Sequence, residues 1–493
     1  MWFTAPVFET FRGGLHDVYD IMCGSNDHED QDAEEEGFLS SDACSEDPHC
    51  KTDKVSNLQT FWNIFNANQG VVILSMPFVT LSGTYMSLIF TAIVAAMSNY
   101  TSKKLVRCLY EPDPATGVDI RVRHSYEEIG EAFGGSFGKW MVYLAMLVEQ
   151  LSYCTLLLIL CGSILHSSFP NAPFNKMHWS MLAFILVIPN AFMMNLGQVA
   201  FVSLLTVVIG QVVYITVAVY SFWRSDNWSI SETPDWDIGK FFISMGIVVV
   251  SYSSQPYMPA IEGSMKKKKH YGKLMDITYI AITLVKIIFG LIGYLTFKGD
   301  TKQVITNNLP HGPFKITVNI CVMMLAVFSF TFPAYTVFVL IDKIHVNRKW
   351  LNQKMKRLTS PKQERKQMDS EEEILENTVL IDSEDEEESE SDEMEHVPMS
   401  RPKRAFVRLL LISLALAVAV LVPHFGLYMS FVGNFTGMCL AFIFPCLFHM
   451  KLRQLGPFEI MLHTVIIIFG SVSAGAGMYY STKAIMEAYS EAD

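Results

Sequence analysis

An apolar run near residues 58–79 is long enough to cross a bilayer, yet its first half carries Asn63, Asn66, Asn68 and Gln69, with Gly70 directly behind. A lipid-facing helix cannot hide that many amides cheaply, because hydrocarbon offers them no partner. The economical solution is a helix broken near Ala67–Val72. Its backbone groups are freed at Asn66, Ala67, Asn68, Gln69, Gly70 and Val71, and a second half-helix restarts behind the glycine. The start of a half-helix is partly positive and attracts carboxylates. Broken membrane helices of this kind build the binding sites of secondary transporters. The rival reading is an intact helix that packs its small and polar residues against neighbours.

Ten further apolar runs follow, near 83–105, 137–165, 179–195, 198–222, 239–262, 274–297, 314–341, 404–425, 427–449 and 457–479. Each approaches the ~20 residues that a helix needs to span the hydrocarbon. The expected fold class is therefore an all-α polytopic membrane protein. The sixth run also breaks at its centre, at Ser251-Tyr252-Ser253-Ser254-Gln255-Pro256, and Pro259 follows. Two prolines there prevent a regular helix. Two sets of five helices, each led by an interrupted one and entering from opposite sides, are the mark of a 5+5 inverted repeat, to which an eleventh helix is appended.

The basic residues fall on one side of this arrangement. Lys103, Lys104, Arg107, Arg121, Arg123, Lys266 to Lys269, Lys273, Lys343, Arg348, Lys349, Lys354, Arg357, Lys451 and Arg453 occupy alternate loops, while Lys176, Arg224, Lys298, Lys302 and Lys483 are scattered on the other side. The positive-inside rule puts the first set in the cytosol. The expected division is then a cytosolic tail over 1–56, helices 1 to 8 over 57–342, a cytosolic loop over 343–403, helices 9 to 11 over 404–480, and a lumenal tail over 481–493. The sequon Asn227-Trp228-Ser229 lies in a loop on the lumenal side, where glycosylation takes place. A second sequon, Asn434-Phe435-Thr436, falls within a membrane segment and is unusable there.

The net charge of −12 conceals a basic core. Residues 25–50 carry 10 acidic side chains and 369–395 carry 15, neither with a Lys or Arg, which leaves 24 acidic against 37 basic side chains in the remainder. Such runs solvate rather than fold. Within the long loop, Glu376-Asn377-Thr378-Val379-Leu380-Ile381 has the pattern of an acidic dileucine signal for a sorting adaptor, and Ser383, Ser389 and Ser391 sit in an acidic context suited to phosphorylation. The nine cysteines form no framework: Cys23, Cys44 and Cys50 lie in the tail, and the rest lie in or beside apolar runs as buried thiols.

Ionisable residues inside apolar runs are functional candidates. Glu149 lies mid-run in the third segment and Lys286 mid-run in the seventh. A carboxyl there can take up and release a proton, and the ammonium can hold a substrate carboxylate. Alternatively the two form one structural ion pair. Glu262, at the end of the sixth run, is a candidate gate or cap, whereas His424 and His449 at helix ends suit interfacial packing. The Lys266–Lys269 run suits anionic lipid heads or simply sets orientation. The chain lacks the HExxH, GxSxG, Walker A and kinase signatures and any metal-spaced Cys/His set, so neither an enzyme, a bound metal, a cofactor nor a nucleic-acid partner is expected. Gly134-Gly135-Ser136-Phe137-Gly138 has no preceding strand and is not a nucleotide loop.

The first-helix Asn66-Ala67-Asn68-Gln69-Gly70 with Pro77 resembles the amino acid/auxin permease family. Cys108-Leu109-Tyr110-Glu111, Arg121-Val122-Arg123-His124-Ser125-Tyr126, Ser251 to Gln255 followed by Pro259-Ala260-Ile261-Glu262-Gly263, Tyr294-Leu295-Thr296, Val304-Ile305-Thr306-Asn307-Asn308-Leu309-Pro310 and Val422-Pro423-His424-Phe425 resemble its vesicular inhibitory amino acid branch. The likeness spans about 57–490 apart from the acidic loop. It implies a LeuT-type fold and proton antiport that loads GABA or glycine into synaptic or secretory vesicles. Glu149 and Lys286 fall where such transporters carry Glu and Lys. The substrate would then lie between Asn66–Val71 and Ser251, Tyr252, Ser253 and Ser254. Two features depart from that branch: the longer, more acidic loop over 350–400, and a polar Asn68 where a hydrophobic residue is usual. A lysosomal or plasma-membrane symporter, or an amino-acid sensor signalling through 343–403, remain alternatives at this level.

Overall fold

The computed structural model describes residues 55–114, 117–189, 196–229, 236–342, 401–422 and 424–490. The cysteines at 23, 44 and 50, the sorting motif and the serines at 383, 389 and 391 lie outside them. The described chain is almost wholly helical. In order it forms α1 (Asn57–Gln69), a 3-10 turn (Val71–Ser75), α2 (Met76–Gly83), α3 (Met86–Arg107), a hairpin of β1 (Tyr110–Pro112) and β2 (Asp119–Arg121), α4 (Tyr126–Ser168), α5 (Lys176–Val187) and α6 (Leu196–Trp223). Then come α7 (Ile238–Val250), α8 (Met258–Gly263), α9 (Tyr271–Phe297), α10 (Pro313–Asp342), α11 (Arg401–Leu421), α12 (Phe425–Leu452) and α13 (Pro457–Ser490).

Among the described residues seven helices are long and apolar enough to cross a membrane, and eight if the bent α1–α2 pair counts as one span. The three remaining expected segments are α3, which is rich in Ser, Thr and Asn, the short α5, and the α7–α8 pair. The element order is therefore the expected one. Five segments and five more each open on an interrupted helix, and α13 follows.

The outer surface is apolar while the core, apolar in the main, also holds many polar side chains. Ile185, Val208, Val212, Ile215, Val219, Ile280, Leu284, Val465 and Val472 are exposed. Ser98, Thr101, Ser102, Gln150, Ser254, Gln255, Thr278, Asn319 and Asn434 are fully buried. Apolar residues thus face the bilayer, and hydroxyls and amides find partners inside, where each is worth more than a lipid could offer.

The boundaries differ from the hydropathy reading in instructive places. The third segment begins at Tyr126, not 137, and spans 43 residues with non-helical angles at Gly134 and Gly135 (φ 58°). Its first two turns bury Tyr126, Glu127 and Ile129, leave Glu128 half-buried and Glu131 exposed, a mixed pattern that a search for uniformly apolar runs passes over. The bend folds this front piece back so closely that a Cβ on Gly138 would lie 2.0 Å from the Gly130 carbonyl oxygen. The eleventh segment runs on to Ser490 instead of ending near 480. Residues 481–490, expected as a tail, are helical because Ser481 is still buried against Ser430 Oγ at 2.8 Å and Lys483 pairs with Glu487. The ninth helix starts at Arg401, three residues before the expected 404, and Arg404 and Arg408 both reach Asp342 at 3.7 Å.

The tightest crossing joins α7 to α12. A Cβ on Gly433 would sit 1.9 Å from the Gly246 carbonyl oxygen, and one on Gly246 would meet Ser430 O at 2.4 Å and the Asn434 side chain at 2.3 Å. Here α12 takes two π-helical stretches, Gly433–Gly437 and Cys439–Ile443. Wide π turns of this kind cluster at functional sites. Gly433→Ala must therefore force the backbones apart, at a cost of about 1–3 kcal/mol. Thermal unfolding of the purified protein should show a lowered midpoint for Gly433→Ala and none for Gly475→Ala, whose Cβ would meet nothing within 4 Å.

Candidate functional site

The α1–α2 break is narrower than the sequence suggests. The α-helix holds through Gln69, so Asn66, Ala67 and Asn68 lie inside it, and only Gly70 leaves helical space, with φ 38° and ψ −170°. Chain direction changes by 42° across it. Unwinding over Ala67–Val72 is not seen because two of the amides find partners in place, although the buried Asn68 Oδ1 has none. Asn68 Nδ2 donates to Ile64 O at 2.9 Å, and Gln69 Oε1 accepts from Gln211 Nε2 at 3.1 Å. The freed Gly70 carbonyl accepts from Tyr214 on α6 at 2.8 Å. Behind Gly70 the chain restarts at Val71 with no side-chain cap, so the first N–H groups of the new half-helix point into the break unclaimed by a side chain.

The α7–α8 break is wider. After Val250 the backbone leaves the helix over Ser251–Ser254 and returns through the 3-10 turn Gln255–Tyr257. Its carbonyls are taken one after another by three different helices. Tyr153 of α4 donates to Val250 O at 2.7 Å, Lys286 of α9 to Ser251 O at 2.6 Å, and Ser98 of α3 to Tyr252 O at 2.9 Å. The side chains of the break are held as well. Ser253 Oγ donates to Glu149 Oε1 at 2.7 Å, Ser254 Oγ meets Tyr279 OH at 3.2 Å, Gln255 Nε2 donates to Ser98 Oγ at 2.8 Å, and Tyr257 OH donates to Gln150 Oε1 at 2.6 Å.

Glu149 and Lys286 are both buried, at 0% and 1% exposure, and they are not joined to each other. The alternative of one structural ion pair therefore fails. Lys286 donates to Ser251 O and Ser251 Oγ, and its ammonium stands 3.5 Å over the Tyr252 ring. That is a complete cation shell of two oxygens and a π face. Glu149 keeps Oε2 buried with no hydrogen-bond partner. The two charges thus flank one three-residue stretch, Lys286 at Ser251 and Glu149 at Ser253.

Sequence reasoning missed Tyr153, Ser98, Tyr214 and Gln211. A signal existed on α9, where Tyr279, Thr283 and Lys286 recur at helical spacing and all three reach the break or its ring. The others are single polar residues in apolar helices, with nothing in the chain to say where they point.

At the end of the bundle that carries the basic loops, the hairpin is bonded to α8. Glu262 at the close of α8 is 2% exposed. It accepts from Tyr110 OH, and its other oxygen lies 3.3 Å from Arg121. Arg121 also donates to Pro259 O at 2.9 Å. Gly263 leaves room for it, since a Cβ there would lie 2.5 Å from the guanidinium. Tyr110 and Arg121 are paired residues of the hairpin, which sequence analysis did not anticipate. Asp119 of the same hairpin binds Arg453 at 2.9 Å. Glu262 is therefore bonded to a neighbouring element, the hairpin. His424 packs on the Tyr489 ring, while His449, expected at an interface, is buried and stacks on His463 between α12 and α13. Asn434 is fully buried beside Gly246 and Gly477, out of reach of any glycosylation machinery. Asn227 closes a short 3-10 turn after α6.

Residues 53–483 match the family model described as transmembrane amino acid transporter protein. A vesicular inhibitory amino acid transporter of Xenopus laevis is 31% identical over 453 residues, covering 90% of this chain and 80% of that protein. A vesicular GABA transporter of Caenorhabditis elegans is 29% identical over 445 residues, 90% of this chain and 82% of that one. Among solved structures, a Na+-coupled sialic acid symporter in a substrate-bound outward-open state is 10% identical, covers 86% of this chain and 88% of its own, and has a TM-score of 0.48.

The geometry at Gly70 yields a direct test. A side chain there meets no atom within 4 Å, so any cost comes from the positive φ alone. Gly70→Ala should lose about 1–3 kcal/mol through backbone strain, read as a lower unfolding midpoint together with weakened substrate binding.

Proposed function

The chain belongs to the transmembrane amino acid transporter family, and on that premise we propose that it loads GABA or glycine into acidic vesicles by exchange for lumenal protons. It is a transporter and not an enzyme. Its relatives are vesicular transporters, in keeping with a multi-span protein of a vesicle membrane. The observation that carries the proposal is Glu149, a fully buried carboxyl with no basic partner among the described residues, bonded to the α7–α8 break. Ionising such a group is costly and neutralising it cheap, so it is suited to carrying a proton.

The substrate sits between the two breaks. Its carboxylate faces the amides that restart behind Gly70, at Val71 and Val72, where the helix end is partly positive. Its amine faces the Ser251–Ser254 side, beside Tyr252. Lys286 holds the break in shape from the opposite end. The hairpin bonded to α8 supports a gate on the side facing the cytosol, with Glu262 and Arg121 parting as it opens.

In this reading the basic loops and the acidic segments over 1–56 and 343–403 are cytosolic, the stretch after 480 is lumenal, and Asn227 is the lumenal glycosylation site. The pattern Glu376–Ile381 engages a sorting adaptor, and the basic loops lie against anionic lipid heads. A protease applied to intact vesicles should cleave a tag placed within 369–395 and spare a tag after Asp493. Cleavage of the second tag in sealed vesicles of known orientation would break the eleven-segment topology.

Transport itself is tested in proteoliposomes with an acidic interior. GABA or glycine should accumulate inside and collapse the pH gradient, and Glu149→Gln should abolish gradient-driven uptake while the protein stays folded. Export from the acidic interior would favour a symporter, and binding without net flux a sensor. Normal gradient-driven uptake by Glu149→Gln would make Glu149 structural.

A further inference from the structure

We propose that Oε2 of Glu149 is the seat of the substrate's ammonium group, so that this carboxyl holds either a proton or the substrate and never both. The inference rests on the reading of the two breaks as the substrate site. It begins from what the α7–α8 break has left to offer a cation. Helix breaks usually present bare carbonyls to a positive group. Here the carbonyls of Val250, Ser251 and Tyr252 are already taken by Tyr153, Lys286 and Ser98. Lys286 in particular occupies the Ser251 oxygens and the Tyr252 face as a tethered cation would. An incoming ammonium that used those atoms would have to evict a built-in one. Two buried acceptors at the break have no partner, the amide oxygen of Gln255 and Oε2 of Glu149, and of these only the carboxyl, which Ser253 holds by its other oxygen, can meet an ammonium with a negative charge.

The titratable and charged groups around Glu149 come from several elements. Tyr126 and Tyr153 on α4, Tyr257 beyond the break and Cys439 on α12 lie close enough to feel its charge. Lys286 on α9 faces it from across Ser251–Ser253. Phenols and thiols ordinarily titrate on the alkaline side of neutrality, so the tyrosines and Cys439 exchange no proton between cytosolic and vesicular pH. Lys286 is set apart from Glu149 by its own bonds to the Ser251 oxygens and its seat over the Tyr252 ring.

The balance is then simple. On the cytosolic side the protonated carboxyl gives up its proton to water, and the carboxylate accepts an N–H of the substrate's ammonium. On the lumenal side the ammonium departs and a proton takes its place. Either occupant neutralises the buried carboxylate, and an empty, ionised Glu149 is the costly state that deters an unloaded return. Exchange of one proton per amino acid follows from a single shared seat. Symport would require both to be bound together.

Isothermal titration of the purified full-length chain with GABA, repeated in buffers of different ionisation enthalpy, counts the protons. At a pH where Glu149 is protonated in the free protein, about one proton should be released per GABA bound. Glu149→Gln should release none and bind GABA at least about tenfold more weakly, as loss of a charged hydrogen bond implies. Butyrate, of similar length but without the ammonium, should release none from the unaltered protein, a comparison that needs no variant to fold. Proton uptake with GABA, release that survives Glu149→Gln, or equal release with butyrate would overturn the proposal. If GABA, glycine and other amino acids all fail to bind, the transport site itself is misread; if GABA binds with no proton released, this inference alone falls.

Discussion

A carbonyl left without a partner inside a membrane is costly, and the α7–α8 break frees several that neighbouring helices must take up. The α7–α8 interruption persists because Tyr153, Lys286 and Ser98, arriving from α4, α9 and α3, each take one of the freed oxygens. The break is therefore not a property of residues 251–254 alone. It is the meeting point of three helices, and their packing is fixed by the same bonds that keep the chain unwound. The α1–α2 break has a lighter version of this support, with α6 supplying Tyr214 to Gly70 and Gln211 to Gln69.

Much of this was written in the chain. The apolar runs located the segments, the polar interruptions located both breaks, and two charges in apolar runs located Glu149 and Lys286. Run-finding works here because lipid demands one uniform property over about twenty residues. It fails where the property is not uniform. The front of α4 is mixed in polarity, the end of α13 is half polar, and the strands of the hairpin have three residues each, too short for alternation to register. The extent of unwinding at Gly70 was overstated for another reason. Counting amides along a helix says how many partners are needed, but not that Ile64 O and Gln211 supply them locally.

The relation between the two buried charges was also beyond the sequence. Their similar depth suggests attraction. What separates them is the intervening stretch of main chain, whose serines bind each in turn. Each charge is thereby satisfied or left wanting by the break rather than by the other. The carboxyl is thereby left without a permanent counter-charge, which the proposed coupling role would need.

One small contact has wide reach. Val55 N–H bonds Ser264 O at 2.7 Å and Lys266 N–H bonds Val55 O at 3.1 Å, which stitches the approach to α1 directly onto the exit from α8. Each of these half-helices belongs to a different interrupted span. Joined at their ends, they behave as two blades on one rivet: a force that swings either is delivered to its counterpart. In the proposed opening, α8 parting from the hairpin would pull on α1 through a strap only a few residues long.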